Sequence, residues 1–142
     1  MIDASLMNAK DFLLAASSAM MERQHAVIRL LMLDADIKLL ESCKNAEECT
    51  KHLLEYREEP KNKLVSCWKV TSKAARMIEV LPDQRHRVIL KQRYINSLSW
   101  PEIQEYMLTH HSFAYEERQI FRLHNSALAA LQKVMLEQGE GG

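Results

Sequence analysis

An all-α fold is predicted for this chain, and three observations carry the prediction. Glycine and proline, which supply the turns of hairpins and sheets, number only three each in 142 residues, too few to punctuate a β-rich fold. The strong helix formers Leu, Met, Ala, Glu, Lys and Gln fill the stretches between them. Apolar residues recur at three- and four-residue steps along much of the length, the period of one helix face. A chain of roughly 100 to 150 residues buries about two thirds of its unfolded surface, enough for one domain or two small ones. A large multidomain enzyme is excluded.

The first helix is expected over residues 8 to about 42, where no glycine or proline intervenes. Asn8 is a suitable N-cap, with Asp11 as an acid in the first turn. Leu13, Ala16, Met20, Val27, Leu31 and Asp34 mark one stripe. Phe12, Leu14, Met21, Ile28, Leu30, Met32 and Leu33 broaden it so far that the helix needs cover on more than one side. A second, shorter helix is expected from the N-A-E-E of residues 45 to 48 through about Tyr56, ending in a turn at Glu58, Glu59 and Pro60. Pro60 then suits the first turn of a third helix. On it Leu64, Trp68, Thr71, Ala75 and Ile78 keep a 4-3-4-3 spacing, while Lys61, Lys63, Lys69, Lys73 and Arg76 take the other side. Residues 1 to 80 are therefore expected to form a long helical hairpin of coiled-coil type with one basic flank. Leu81-Pro82 is the expected boundary, because proline restricts the residue before it.

Three shorter helices are expected beyond it, over residues 83 to 95, 99 to 108 and 115 to 137. Only Asn96, Ser97 and Leu98 separate the first two, and Ser99-Trp100-Pro101-Glu102 reads as a capping box with proline in the first turn. Helices joined so tightly must cross. With a loop and a longer last helix, the pattern is that of a helix-turn-helix domain over residues 81 to 142. Ile89, Leu90, Tyr94, Leu98, Trp100, Ile103, Met107, Ile120, Leu123, Ala127 and Leu131 are its expected core. The closing residues 139 to 142 are expected to fray.

A formal charge of zero argues against nucleic-acid binding only on average. Residues 1 to 60 carry a net −4, residues 61 to 93 a net +7 and residues 94 to 142 a net −3. The positive charge is thus concentrated where a phosphate-facing stripe is useful, although a solvated helix face has the same composition. The last helix opens with Tyr115, Glu117, Arg118, Gln119 and Arg122, the candidate base-reading set. Arginine donates two hydrogen bonds to guanine, glutamine pairs both ways with adenine, and Arg118 and Arg122 lie four apart on one face. Arg85, Arg87, Lys91, Arg93 and Ser99 are candidates for phosphate contact, which adds affinity but no sequence information.

These residues carry a resemblance. Leu81-Pro82, Arg93-Tyr94, Leu98-Ser99-Trp100, Glu102-Ile103, Arg118-Gln119-Ile120, Arg122, His124 and Ala127-Leu128 through Leu131 together resemble the region 4 helix-turn-helix of sigma factors. The resemblance is closer still to phage transcriptional regulators of the ArpU/RinA type. It spans about 50 residues, and the residues from Ala9 to Leu13 resemble the leading helix of some phage members. It implies recognition of promoter DNA by the last helix, contact with RNA polymerase, and a cytoplasmic place in a bacterial host. Where those regulators often carry Ser or Thr before the E-R-Q segment, this chain has Glu116, and the last helix has Ser112 or Tyr115 as its alternative starting residues.

A homodimer through residues 1 to 80 suits the broad apolar stripe and would read paired half-sites on double-stranded DNA. A small terminase-like packaging subunit and a protein-only helical adaptor are the alternative readings. No enzyme, cofactor, metal or membrane association is expected. No phosphate loop, nucleophile elbow or membrane-length apolar run occurs, and the N-terminus has no basic leader. Cys43, Cys49 and His52 are too few for a structural zinc site. An odd number of cysteines fits reduced thiols in a cytosol. His110-His111 read as a loop pair, His124 as a polar residue on a helix face, and Met7, Met20, Met21, Met32, Met77, Met107 and Met135 as core filling.

Overall fold

The structure, a computed structural model, describes residues 8–141. Among them are six α-helices, one π-helical turn and no strand: α1 (Ala9–Leu40), α2 (Glu47–Tyr56), α3 (Glu58–Glu79), α4 (Gln84–Leu90) continued by the π turn Lys91–Ile95, α5 (Trp100–His111) and α6 (Glu117–Gly141). The chain is all-α. No helix among the described residues is long and apolar enough to cross a membrane. Contacts divide the chain into two compact units, one of residues 18–70 and one that joins residues 71 onward to the described residues up to Ser17. That division falls ahead of Leu81-Pro82. Proline ends the helix there, but Leu81 is buried at 1% exposure and carries the packing across the break.

In the unit of residues 18–70, α1 and α3 run antiparallel. Glu22 meets Lys63 at 3.2 Å, Arg29 meets Glu59 at 3.7 Å and Asp34 meets Arg57 at 2.7 Å, so the numbers fall on one helix as they climb on the other. Arg23 lies over the Trp68 ring at 4.9 Å. Half-exposed pairs of this kind contribute about 1 kcal/mol or less each; their value lies in fixing the register. The buried positions are small, Ala19 and Ala26 on α1 and Cys67 on α3, which lets two helices approach closely. Burial and the neighbouring Glu22 carboxylate push the Cys67 thiol pKa up.

Several details of this half differ from expectation. The covered face of α3 runs through Cys67, Thr71, Ala74 and Ile78 rather than Trp68 and Ala75, and Trp68 is 50% exposed. Both sets share a 4-3-4 rhythm, which alone does not say which of two adjacent stripes is covered. Leu31, Asp34, Met21 and Met32 are exposed as well. The expected cap at Asn45 is replaced by Ala46 with no side-chain bond, and Asn45 turns the chain with φ 61°, a conformation asparagine tolerates well. Glu58 to Pro60 form no open turn. Arg57 stays helical, its N–H bonded to the Leu53 carbonyl, and Pro60 sits in the first turn of α3, where its missing N–H costs little. Met7 lies outside the described residues.

The other unit has one core. Ile89, Leu90 and Tyr94 from the α4 segment, Ile103 and Met107 from α5, and Ile120, Leu123, Ala127 and Leu131 from α6 close on one another. Leu98 and Trp100 pack against them partly buried. Ala9, Leu13, Met77, Ile78 and Leu81 join the same cluster, so both ends of the first half contribute to it. The expected Asn8 cap is present, its Oδ1 accepting from the Asp11 N–H at 2.8 Å. The Ala9 N–H donates to Gln132 Oε1 at 2.6 Å, which ties the start of α1 to α6. The last helix continues beyond the expected end at Glu137 through Gly141, and Gly142 lies outside the described residues.

Candidate nucleic-acid interface

The turn between α4 and α5 is built from its own side chains. At its entry the helix widens, the Asn96 N–H bonding to the Lys91 carbonyl five residues back, and Ser97 takes a positive φ of 59°. Gln92 is buried with its Oε1 accepting from Asn96 Nδ2 at 2.9 Å. Arg93 closes the turn: its guanidinium donates to the Leu98 carbonyl at 3.0 Å and lies over the Trp100 ring at 4.5 Å. Ser99 then caps α5, its Oγ accepting from the Glu102 N–H at 3.3 Å while Glu102 Oε1 accepts from the Ser99 N–H at 2.9 Å. These bonds hold the Glu102 carboxyl below its ordinary pKa. Replacing Ser99 with alanine removes one half of this box and is expected to lower stability by about 1 kcal/mol, measurable as a shift in urea midpoint at unchanged slope.

At the far end of α5 His110 and His111 lie in the last helical turn, not in a loop, and His110 stacks on Tyr106 at 4.1 Å between ring centroids. A helix C-terminus favours basic side chains there. Ser112 is the left-handed C-cap of α5, with φ 57°, which rules it out as the start of the last helix. That start is Glu117. Gln119 reaches back so that its Oε1 accepts from the Glu116 N–H at 2.8 Å, and the Glu116 carbonyl accepts from Ile120 at 3.0 Å. Gln119 thus takes the third-position role of a capping box without a Ser or Thr ahead of it.

The candidate base readers separate into two kinds. Arg118 and Arg122 are exposed and lie diametrically opposite the buried Ile120, Leu123 and Ala127, so the core holds the helix while both guanidinium groups face away from it. Glu117 and Gln119 are exposed on its flanks, and the carbonyl oxygen of Gln119 already serves the cap. Tyr115 is half-buried. Its carbonyl accepts from Gln104 Nε2 at 2.8 Å and its ring leans on Phe113 at 5.8 Å. Sequence reasoning missed Asn125. It is exposed three residues after Arg122 on the same face, and asparagine makes the same paired bonds to adenine as glutamine. The spacing from Arg118 to Arg122 to Asn125, four and then three, was the available signal.

The phosphate candidates divide likewise. Arg93 and Arg87 are half-buried and serve their own backbone, Arg87 donating to the Leu81 and Pro82 carbonyls. Each therefore has a structural role as well, one guanidinium nitrogen being engaged in closing a turn. Arg85 grips Asp83 with two bonds, Nε at 3.3 Å and Nη2 at 3.0 Å. The Asp83 carboxylate and the Tyr115 hydroxyl raise its pKa above the ordinary value. Lys91 and Ser99 are exposed. Two acids, Glu116 and Glu117, stand at the start of α6, where they favour the helix dipole and oppose a polyanion.

His124, expected as a polar residue on a helix face, is a core residue. It is 8% exposed, its Nε2 lies 2.7 Å from the Tyr94 hydroxyl, and its ring meets Trp100 edge-on at 4.8 Å. Burial, with Lys10 and Arg93 adding repulsion, lowers its pKa to about 4. The sequence cue was positional, since His124 follows Leu123 and precedes Ala127 by three.

No family model, no curated protein and no solved structure matches this chain.

Proposed function

We propose that the chain is a sequence-specific DNA-binding transcription regulator of phage or prophage type that reads promoter DNA with the first turns of α6. One observation carries the reading. Arg118 and Arg122 stand exposed and four residues apart on a helix whose opposite face is locked into the core, which is how a recognition helix presents side chains to a major groove. Arginine at that place supplies paired bonds to guanine, and Asn125 extends the reading surface toward adenine. Lys91 and Arg85 supply charge for the backbone. The resemblance to sigma region 4 adds RNA polymerase as a second partner, and residues 1 to 80 supply self-association, so that two modules engage paired half-sites.

The test is selection of fragments from phage and bacterial genomes by the full chain. Recovery of a shared motif next to promoters supports the regulator reading. Enrichment at a single packaging-type site together with ring assemblies favours a terminase-like role, and no enrichment at any salt favours a protein-only adaptor.

A further inference from the structure

The hairpin uses one face of α1, and the opposite face remains apolar and open. From Ser18 onward, Met21, His25, Ile28, Met32, Ala35 and Leu39 follow one another at alternating steps of three and four through three heptads. All are exposed, Met21 at 57%, Ile28 at 54%, Met32 at 65% and Leu39 at 69%. A globular surface does not need this regularity. A seven-residue repeat is the spacing that keeps a seam facing a second helix.

We infer that the seam is covered by the same seam of a second copy, running antiparallel, with Met21 of one copy against Met32 of the other and His25 against Ile28. The inference rests on the homodimer reading above and adds its contact face, direction and register. Two features choose that register. It sets like sizes together, methionine on methionine and Ser18 on Ala35. It also sets Glu22 beside Arg29 of the second copy, twice by symmetry, at the flanking positions that decide partner and orientation. Sliding by one heptad one way brings Glu22 onto Asp36 and Arg29 onto itself; sliding the other way brings Glu22 onto itself. A parallel pair in register stacks His25 on His25 and matches no opposite charges, since Gln24 then flanks Arg29 and Leu31 flanks Asp36. Glu22 and Arg29 also bond across the hairpin to Lys63 and Glu59. A carboxylate and a guanidinium have sites enough to serve both.

The experiment uses the full chain with the exposed Cys43 and Cys49 changed to serine, carrying either Met21→Cys or Met32→Cys, under mild oxidation. An antiparallel pair puts the two Met21 positions about 16 Å apart, by the rise of about 1.5 Å per residue, too far for a disulfide. The expected result is no cross-link in either variant alone and a cross-linked dimer when the two are mixed. Ile28→Glu, which leaves the hairpin face untouched, is expected to shift sedimentation from dimer to monomer at unchanged helicity. Disulfides within each variant alone would overturn the antiparallel direction. A dimer indifferent to Ile28→Glu and without the mixed cross-link would overturn this face while leaving the homodimer reading intact. A monomer at tens of micromolar would remove both.

Discussion

Arg118→Ala is expected to weaken binding to the preferred duplex by about 1 to 3 kcal/mol, a loss of roughly 5- to 150-fold, while leaving binding to unrelated duplex nearly unchanged. The reason is positional. Arg118 is exposed on the face of α6 turned away from Ile120 and Leu123, so its removal takes away paired donors without opening a cavity. Lys91→Ala acts differently, weakening every duplex alike and reducing the salt dependence by about one unit of slope, because a phosphate contact releases counterions without reading bases. Fluorescence anisotropy with matched and scrambled duplexes at several salt concentrations separates the two. Equal losses on both duplexes for Arg118→Ala would demote that residue to a backbone contact.

The second large effect is on stability. The His124 ring titrates near 6.5 when unfolded and at about 4 when folded, because protonation inside the core strands a charge beside Tyr94 and Trp100. Below pH 6.5 the unfolded chain therefore binds the extra proton. Stability is full above that value, falls as pH drops through the window down to about 4, and is flat below it as far as this residue is concerned. The shift corresponds to about 3 kcal/mol. Urea titrations followed by Trp100 fluorescence, in a Trp68→Phe background, give the slope. His124→Gln is expected to flatten it, and an unchanged slope in that variant would assign the pH dependence to other groups.

The legibility of this molecule in its sequence follows its contacts. Most of the core that α4, α5 and α6 share is legible, from Ile89 to Leu131, because each of these helices is amphipathic and its apolar residues have only one direction in which to be buried. The capping box at Ser99 and Glu102 was readable for a different reason, being a local bond pattern with a fixed spacing. The two helices of the hairpin are harder. On α1 and α3 two adjacent stripes are both apolar, and periodicity assigned Trp68 to the core where Cys67 is buried. Distant contacts leave no local trace, so nothing in the sequence places Ala9, Leu13 and Leu81 in the core they share with α4, α5 and α6.

Among the candidate site residues, exposure on α6 was legible while the employment of each donor was not. Arg87 and Arg93 look in sequence like any other cations of a basic stretch. Only the fold shows that their guanidinium groups close the turns at Pro82 and Leu98. Gln119 hides the same kind of second duty, because a cap three residues back is visible in sequence chiefly when serine or threonine stands at its head. The burial of His124 is not legible, since histidine is compatible with either face and its Tyr94 partner lies 30 residues away.

Whether the start of α6 enters the major groove of a duplex is decided by photocross-linking. A selected duplex carrying 5-iododeoxyuridine places its reactive carbon in the major groove, and mass spectrometry of the digested adduct locates the attached peptide. Attachment is expected within residues 115 to 125, lost on competition with unlabelled specific duplex. Attachment confined to the lysine-bearing face of α3, under conditions where the chain is bound, would contradict it.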